Sequence, residues 1–239
     1  QRNLPVYVMI TMRSDFLGDC SRFRNLPERI NKGLYLVPRM RRDQLQQAIT
    51  GPARVAGTDI TPRLVEQLLN DIGDDQDQLP VLQHALLRTW TERPEGVPLD
   101  LEHYREVGRL VGALDRHAEK IFKAFSDRQR RLAELMFRRL TEVDESREIR
   151  RQATVNALIE VTGAPLEEIE SVIDAFRARG VCFLTQTGTL IDITHESLIR
   201  QWQRLRGWAR QEAADRRNYI QFAATAASDL PQKIWLRGG

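Results

Sequence analysis

Two stretches of this chain hold residue types that can meet an anion. In "DITHESLIRQWQRLRGW", residues 192–208, His195 stands between a short apolar stretch and a strongly amphipathic one. An imidazole at such a joint lies at a helix start, where unpaired backbone N–H groups and the helix dipole favour a nearby negative charge, and a phosphate suits that place. In "MRSD", residues 12–15, Arg13, Ser14 and Asp15 follow the apolar run "VYVMIT". Ligands of open parallel sheets gather beyond the carboxyl ends of the strands, so Arg13 is set for nucleotide contact or chemistry. Each position has a plainer use as well. Arg13 can pair with Asp15, and His195 can bond a backbone group and close the joint.

The elements that must position these residues can be read from periodicity. Residues 6–11 form a continuous apolar run with β-branched members, the pattern of a strand buried on both faces. From about 36 to 115 the pattern is helical. Asp43 precedes "QLQQAI", and Thr61-Pro62 places an N-cap and an N1 proline ahead of Leu64, Val65, Leu68 and Leu69. The acidic connector at 70–80 reads as helix capping, with Gly73 ending one helix and Pro80 opening the next. That next helix carries Leu82, Ala85, Leu86 and Trp90 on one face and ends before the loop "RPEGVP".

Further helices are expected over about 108–125 and 127–143, then over "RRQATVNALIEV" (150–161) and "PLEEIESVIDAFRARG" (165–180), with Gly180 as the stop. "VCFLT", "QTG" and "TLIDI" read as strand, turn and strand, so this last unit has the helices-then-wing order of a winged helix. On a helical wheel Leu198, Ile199, Trp202, Leu205, Trp208 and Ala209 share an apolar face, and His195 falls on the same side, toward packed protein or a neighbouring unit. Residues 211–239 read as an exit helix and linker.

Composition narrows the possibilities. The chain has 239 residues, 41% of them hydrophobic, enough for a real core. Its longest apolar run falls far short of the roughly 20 residues of a membrane span. No initiator methionine or signal-peptide core opens the chain, so a piece of a longer protein is expected. Cys20 and Cys182 lie far apart with no histidine cluster nearby, which suggests neither a disulfide framework nor zinc and fits a reducing, cytoplasmic setting. His84, His103 and His117 fall on separate helical segments without spaced metal partners, so no metal site is expected and the three read as structural. Only four of the 36 basic residues are lysine, and this arginine bias favours bidentate ion pairs and anion contacts.

Five stretches in order, "RSDFLGDC", "AITGPARVAG", "DQLPVLQHALLRTW", "GRLVGALDRHAE" and "HESLIRQWQRLRGW", resemble the STAND class of signal-transduction NTPases, especially the bacterial branch joined to WD-type repeats. The likeness spans about residues 6–209. It implies a mainly α chain with a small α/β remnant: the end of a P-loop nucleotide domain (1–35), a helical lid (36–115), a winged-helix domain with a β-wing (116–210) and an exit toward a sensor domain (211–239). It further implies that Arg13 corresponds to the sensor arginine near the γ-phosphate and that Pro80 corresponds to the lid proline that packs on adenine. His195 resembles the winged-helix histidine that reaches the β-phosphate of bound diphosphate, although "THE" stands here in place of Met-His-Asp.

The implied function is a regulatory switch, closed with ADP and open with ATP, coupled to signal-dependent self-association. An upstream effector domain and a downstream repeat sensor are the implied partners in the same chain. ATP or ADP with magnesium belongs to the intact protein. No G-x-x-x-x-G-K-[ST] stretch occurs in the 239 residues, so they are expected neither to bind the cofactor nor to hydrolyse ATP alone, and no catalytic residue is assigned. Two other readings compete. A winged helix can bind DNA, with Arg128, Arg130, Arg131, Arg138, Arg139, Arg150 and Arg151 as the basic candidates. Against this, residues 165–179 carry Glu167, Glu168, Glu170 and Asp174 against Arg177 and Arg179, a net −2 that phosphate would repel. The third reading is a nucleotide-independent adaptor between effector and repeat domains.

Overall fold

The computed structural model describes residues 7–12, 14–73, 78–144 and 147–229. It is mainly helical and has two small antiparallel sheets. The chain divides into residues 1–41 and residues 42–239.

In the first unit, residues 7–12 form no strand and are exposed, Tyr7 and Met9 at about nine-tenths. This corrects the expectation of a strand buried on both faces. A parallel strand exists only through its ladder partners, and among the described residues none pairs with this run. Two 3-10 turns, Ser14–Phe16 and Gly18–Arg22, lead into α1 (Leu26–Gly33), whose N-terminus holds Pro27.

The second unit contains two hydrophobic cores. The first is built by α2 (Arg42–Val55), α3 (Pro62–Asp71), α4 (Gln78–Glu92), α5 (Leu101–Glu106) and the start of α6 (Arg109–Ala124). Thr61 caps α3 and Pro62 stands in its first turn, as the sequence indicates, and Leu64, Val65, Leu68 and Leu69 are all buried. The Thr61 hydroxyl donates to Asp100 Oδ1 at 2.7 Å and accepts no N–H from the helix that it caps. Asp100 also caps α5 and accepts a bidentate contact from Arg63, which holds its carboxyl well below the usual carboxylate range. Gly73 is not the stop of α3: the helix ends at Asp71, with Ile72 extended as its C-cap. Helix α4 opens at Gln78, two residues before Pro80.

Tyr104 is fully buried and joins three elements. Its hydroxyl donates to Asp71 Oδ2 at 2.8 Å and accepts the Leu110 N–H at 2.8 Å. The second bond satisfies an orphan donor at the start of α6, where the N-cap is Gly108 and no side chain is available. Gly108 has φ 100°, and a Cβ there would lie 2.8 Å from Arg116 Nε and 3.0 Å from the Gly112 carbonyl carbon. Only glycine fits this turn.

The second core begins in the same helix: Ala113 belongs to the first cluster, and Leu114 to the second. It is completed by α7 (Asp127–Arg139), α8 (Val155–Thr162), α9 (Leu166–Arg177), α10 (Ser197–Gln201), α11 (Gln203–Asp229) and the sheets. A reciprocal capping box between Ser126 and Gln129 starts α7. Strands β1 (Thr141–Asp144) and β2 (Arg147–Arg150) pair antiparallel and take over the end of one expected helix and the start of the next, so α7 stops at Arg139, short of 143, and α8 begins only at Val155. Two-residue β3 (Ala153–Thr154) pairs with β5 (Leu190–Ile193), which pairs in turn with β4 (Leu184–Thr187), in the order β3-β5-β4. The expected C-terminal hairpin is therefore present, although its first strand starts at Leu184 and Val181–Phe183 form the turn before it. Gly180, at φ 84°, serves that turn; α9 has already ended at Arg177.

The segment containing His195 is not one helix. It breaks at Trp202, whose backbone is extended, and a single 27-residue α11 then replaces the expected separate exit helix. The break turns the Trp202 indole fully into the core, against Phe122, Phe137, Phe176 and Trp208 at ring-centroid distances of 5.2–6.1 Å. Its Nε1–H donates to Glu119 Oε1 at 2.9 Å. Arg204 grips both oxygens of the same carboxylate at 2.7 and 3.1 Å, and Asp115 accepts the Gln203 N–H at 2.9 Å, capping α11. Among the described residues, no helix is long and apolar enough to cross a membrane.

Removing the Trp202 side chain would open a cavity where both of these anchors meet. Trp202→Ala is expected to lower stability by about 3–5 kcal/mol, read as a shift of the urea midpoint. A change under about 1 kcal/mol would contradict this packing role.

Candidate functional site

Where the two cores adjoin, α4, α6, the turn before β4 and the β5–α10 joint enclose a cavity of about 230 Å³. Pro80 and His195, 115 positions apart in the sequence, both line it. Pro80 comes from the first turn of α4, and its i+4 neighbour His84 faces the same space, as helical geometry requires. Leu87, Leu114 and Val181 supply apolar wall, while Thr194, His195 and Ser197 bring polar groups from the joint.

The joint is held by backbone bonds. Thr194 N–H donates to the Phe183 carbonyl at 3.0 Å, and the His195 carbonyl accepts from Leu198 N–H at 3.0 Å. The His195 ring itself makes no hydrogen bond among the described residues and is exposed. Two expectations are thereby corrected or narrowed: the imidazole does not close the joint by bonding a backbone group, and of the two expected directions, packed protein or a neighbouring unit, it does not take the first. The reason is the placement of the helix start, since α10 begins only at Ser197 and His195 lies in the connecting bend, off the wheel that puts Leu198 and Ile199 inward. Partial desolvation and the nearby Arg150 guanidinium lower its pKa, opposed by Glu196. Arg150 is held there by Asp192 Oδ2 at 3.2 Å and the Ile193 carbonyl at 3.1 Å. Beside the ring, the Thr194 hydroxyl is shut off from solvent yet has no hydrogen-bond partner. A buried hydroxyl without a partner costs free energy that a bound acceptor could recover.

Arg13, the third residue singled out by the sequence, lies outside the described residues, as does the connector at 74–77. Pro80 and His195 are thus the two sequence candidates that the fold brings together. The sequence reading missed His84 and His117, which it left as isolated helical histidines. His117 Nδ1 stands 3.3 Å from His84 Nε2, so one ring donates and the other accepts, and both rings pack on Phe183 at the base of β4. The available signal was the four-residue step from Pro80 to His84. The partner could not be read, because His117 comes from another helix. His103 serves only in the α5 cap, accepting the Asp100 N–H at 3.2 Å. Among the described residues, no group of three or more His, Cys, Asp or Glu is arranged to hold a metal ion.

Burial, with Arg88 as a lesser cause, pushes the His84 pKa down to about 4. Burial, then Arg88, His84 and Lys120, push that of His117 to about 3. The pair is therefore neutral at physiological pH, and a proton on either ring disturbs the contact among α4, α6 and the β4 turn.

A sequence model of the family Novel STAND NTPase 1 matches residues 1–229. No curated protein and no solved structure matches the chain.

The histidine pair sets a pH dependence. In the unfolded chain both rings titrate near about 6.5, and in the folded chain well below it, so between these values the unfolded state binds more protons. Stability is expected to be full above about 6.5 and to fall as pH drops toward about 4. Glu119 and Asp100, held low by arginine, add their loss only below the ordinary carboxylate range. Urea midpoints measured from pH 7.5 to 4.5 check this; His84→Leu should flatten the slope, and an unchanged slope would refute the assignment.

Proposed function

Because the chain belongs to the Novel STAND NTPase 1 family, we propose that it forms the lid and winged-helix part of a nucleotide-controlled switch, with the Pro80–His195 cavity receiving one end of the nucleotide. The observation that carries this reading is the shared cavity: a rigid apolar proline, an unbonded imidazole and a buried hydroxyl lacking a partner converge from two hydrophobic cores. At about 230 Å³ it lies below the roughly 300–1,000 Å³ of sites that enclose a whole drug-sized ligand. It therefore suits part of a nucleotide, the base against Pro80 and a phosphate at His195 and Thr194. Arg13 is the proposed contact to the γ-phosphate.

The helical unit of α2–α5 is read as the lid. The α7–α9 helices with the β3-β5-β4 sheet are read as the winged helix, with β4–β5 as its wing. One polyphosphate touching groups from both units would add to the stability of their closed arrangement, and exchange of diphosphate for triphosphate would change that addition. Differential contacts of about 1–3 kcal/mol suffice for coupling of this kind. Magnesium and the phosphate-binding loop would come from elsewhere in the intact protein, because no such loop occurs here. Self-association in the open state, an upstream effector, a downstream repeat sensor and a cytoplasmic setting complete the proposal.

The local chemistry fits a phosphate sensor. With its pKa lowered, His195 is neutral before the anion arrives, and a phosphate beside it would raise that pKa and make the ring a charged donor. Two features speak against DNA as the alternative partner. Helix α9 keeps Glu167 and Glu170 exposed, and Glu168 is occupied by Arg128 at 2.5 Å.

In the intact protein, His195→Leu is expected to weaken retention of nucleoside diphosphate about tenfold, the value of one charge-assisted hydrogen bond, and to raise basal self-association. Nucleotide released on denaturation, read by chromatography, and light scattering of the native protein check both effects. Wild-type diphosphate affinity should increase as pH falls from 7.5 toward 6, since binding takes up a proton. Unchanged retention and unchanged assembly in the variant would sink the reading.

A further inference from the structure

A second cavity, of about 350 Å³, lies wholly within the α7–α11 part of the molecule, lined from α7, β1, the residue after β2, α8 and α11. It shares no residue with the Pro80–His195 cavity.

Two of the sequence's basic doublets end at this groove, and the fold splits each of them. Arg138 is committed to Glu134 at 2.9 Å and to Glu212 at 3.2 Å, and Arg150 to Asp192 at 3.2 Å. Arg139 and Arg151 form no side-chain hydrogen bond or ion pair among the described residues, and both line the groove. Their proximity is fixed by the backbone. Thr141 pairs with Arg150 in the β1–β2 register, and the Arg151 N–H donates to the Leu140 carbonyl at 2.8 Å, setting Arg151 beside the end of α7 that carries Arg139.

The two carboxylates in the lining are already engaged. Glu142 accepts from Arg216 at 2.7 Å and Glu212 from Arg138, so the lining keeps the full charge of the remaining two guanidinium groups. Arg139 is half-buried, which removes part of the hydration that would otherwise offset its charge. The same lining holds apolar surface that is open to solvent: Leu135 is 37% and Val161 47% exposed.

From this arrangement we infer that the groove is a binding site for a small phosphate-bearing molecule, its phosphate held by Arg139 and Arg151 and its body resting on Leu135 and Val161. A phosphate offers three terminal oxygens to two planar guanidinium forks, whereas a carboxylate fully satisfies only one fork. A duplex is the poorer fit, because two uncommitted guanidinium groups can meet one phosphate group but form no continuous basic track for a phosphate backbone.

The test is a titration of the whole protein with inorganic pyrophosphate at physiological chloride, followed by backbone amide NMR. Saturable shifts at Arg139–Thr141 and Arg151 are expected, and Arg139→Gln with Arg151→Gln should weaken them about tenfold or more. Arg139→Lys with Arg151→Lys keeps the charge but loses the forks and should fall between the two. His195→Leu should leave these shifts unchanged, so failure of the Pro80–His195 reading and failure of this one remain distinguishable. Shifts confined to Thr194–Ser197, an affinity equal in the glutamine variant and the wild type, or no saturation would overturn the inference. So would a short DNA duplex displacing pyrophosphate from Arg139 and Arg151 with a steep salt dependence.

Discussion

The Glu119 carboxylate, facing the buried Trp202 indole, is the constraint on which the rest of this architecture depends. Oε1 accepts both the indole N–H and the Arg204 Nε–H, so a polar group at the edge of an aromatic core is satisfied without water. Arg204 also lies 4.4 Å over the Phe122 ring, adding a cation–π contact to the same joint. With Asp115 capping α11 from one helical turn earlier, α6 sets both the position of the α10–α11 break and the direction in which the long helix leaves it. Ahead of the break, α10 buries Ser197, Leu198 and Ile199, and His195 in the bend before it is exposed.

Helix α6 accordingly serves two cores at once. Its start buries Leu110 and Ala113 against α2–α5, and from Leu114 onward it buries Leu114, Ala118 and Phe122 against the α7–α11 elements. Joining two cores through one continuous helix transmits a change in either to the other, because packed interiors resist gradual deformation. The His84–His117–Phe183 contact lies on this seam and contains no carboxylate, so it is held by packing and a single neutral hydrogen bond. The adjoining cavity contains Pro80, Thr194 and His195. A ligand entering there would meet both cores and the seam that links them.

The arginine excess has a similar physical sense. Several guanidinium groups close long-range pairs, and two of them tie α11 to the β1–β2 strands, Arg216 with Glu142 and Arg210 with Glu148. Bidentate, always-charged forks suit such work better than lysine. Arginines left out of these pairs, such as Arg139 and Arg151, stand out only when the partners of their neighbours are known.

Much of this was legible in the sequence. The Thr61-Pro62 cap, the apolar face of α3, the α9 stripe ending before Gly180 and the final hairpin follow from local chemistry, because a cap or a periodic stripe is written in adjacent residues. The choice of Pro80 and His195 rested instead on the family resemblance, and what the fold adds is that both line one cavity. The sequence could not place Trp202 as a break: its apolar period runs on without interruption, and the cause is a carboxylate 83 residues earlier. Nor could it foresee β1–β2, where the alternating Thr141–Arg150 segment becomes a hairpin through pairing between its own strands and contact with α11, against a helical pattern upstream. The exposure of His195, the meeting of His84 with His117 and the division of the arginine doublets into paired and unpaired members were likewise settled only by tertiary structure. Each depends on which distant group arrives within hydrogen-bond reach, and periodicity along one chain carries no record of that distance.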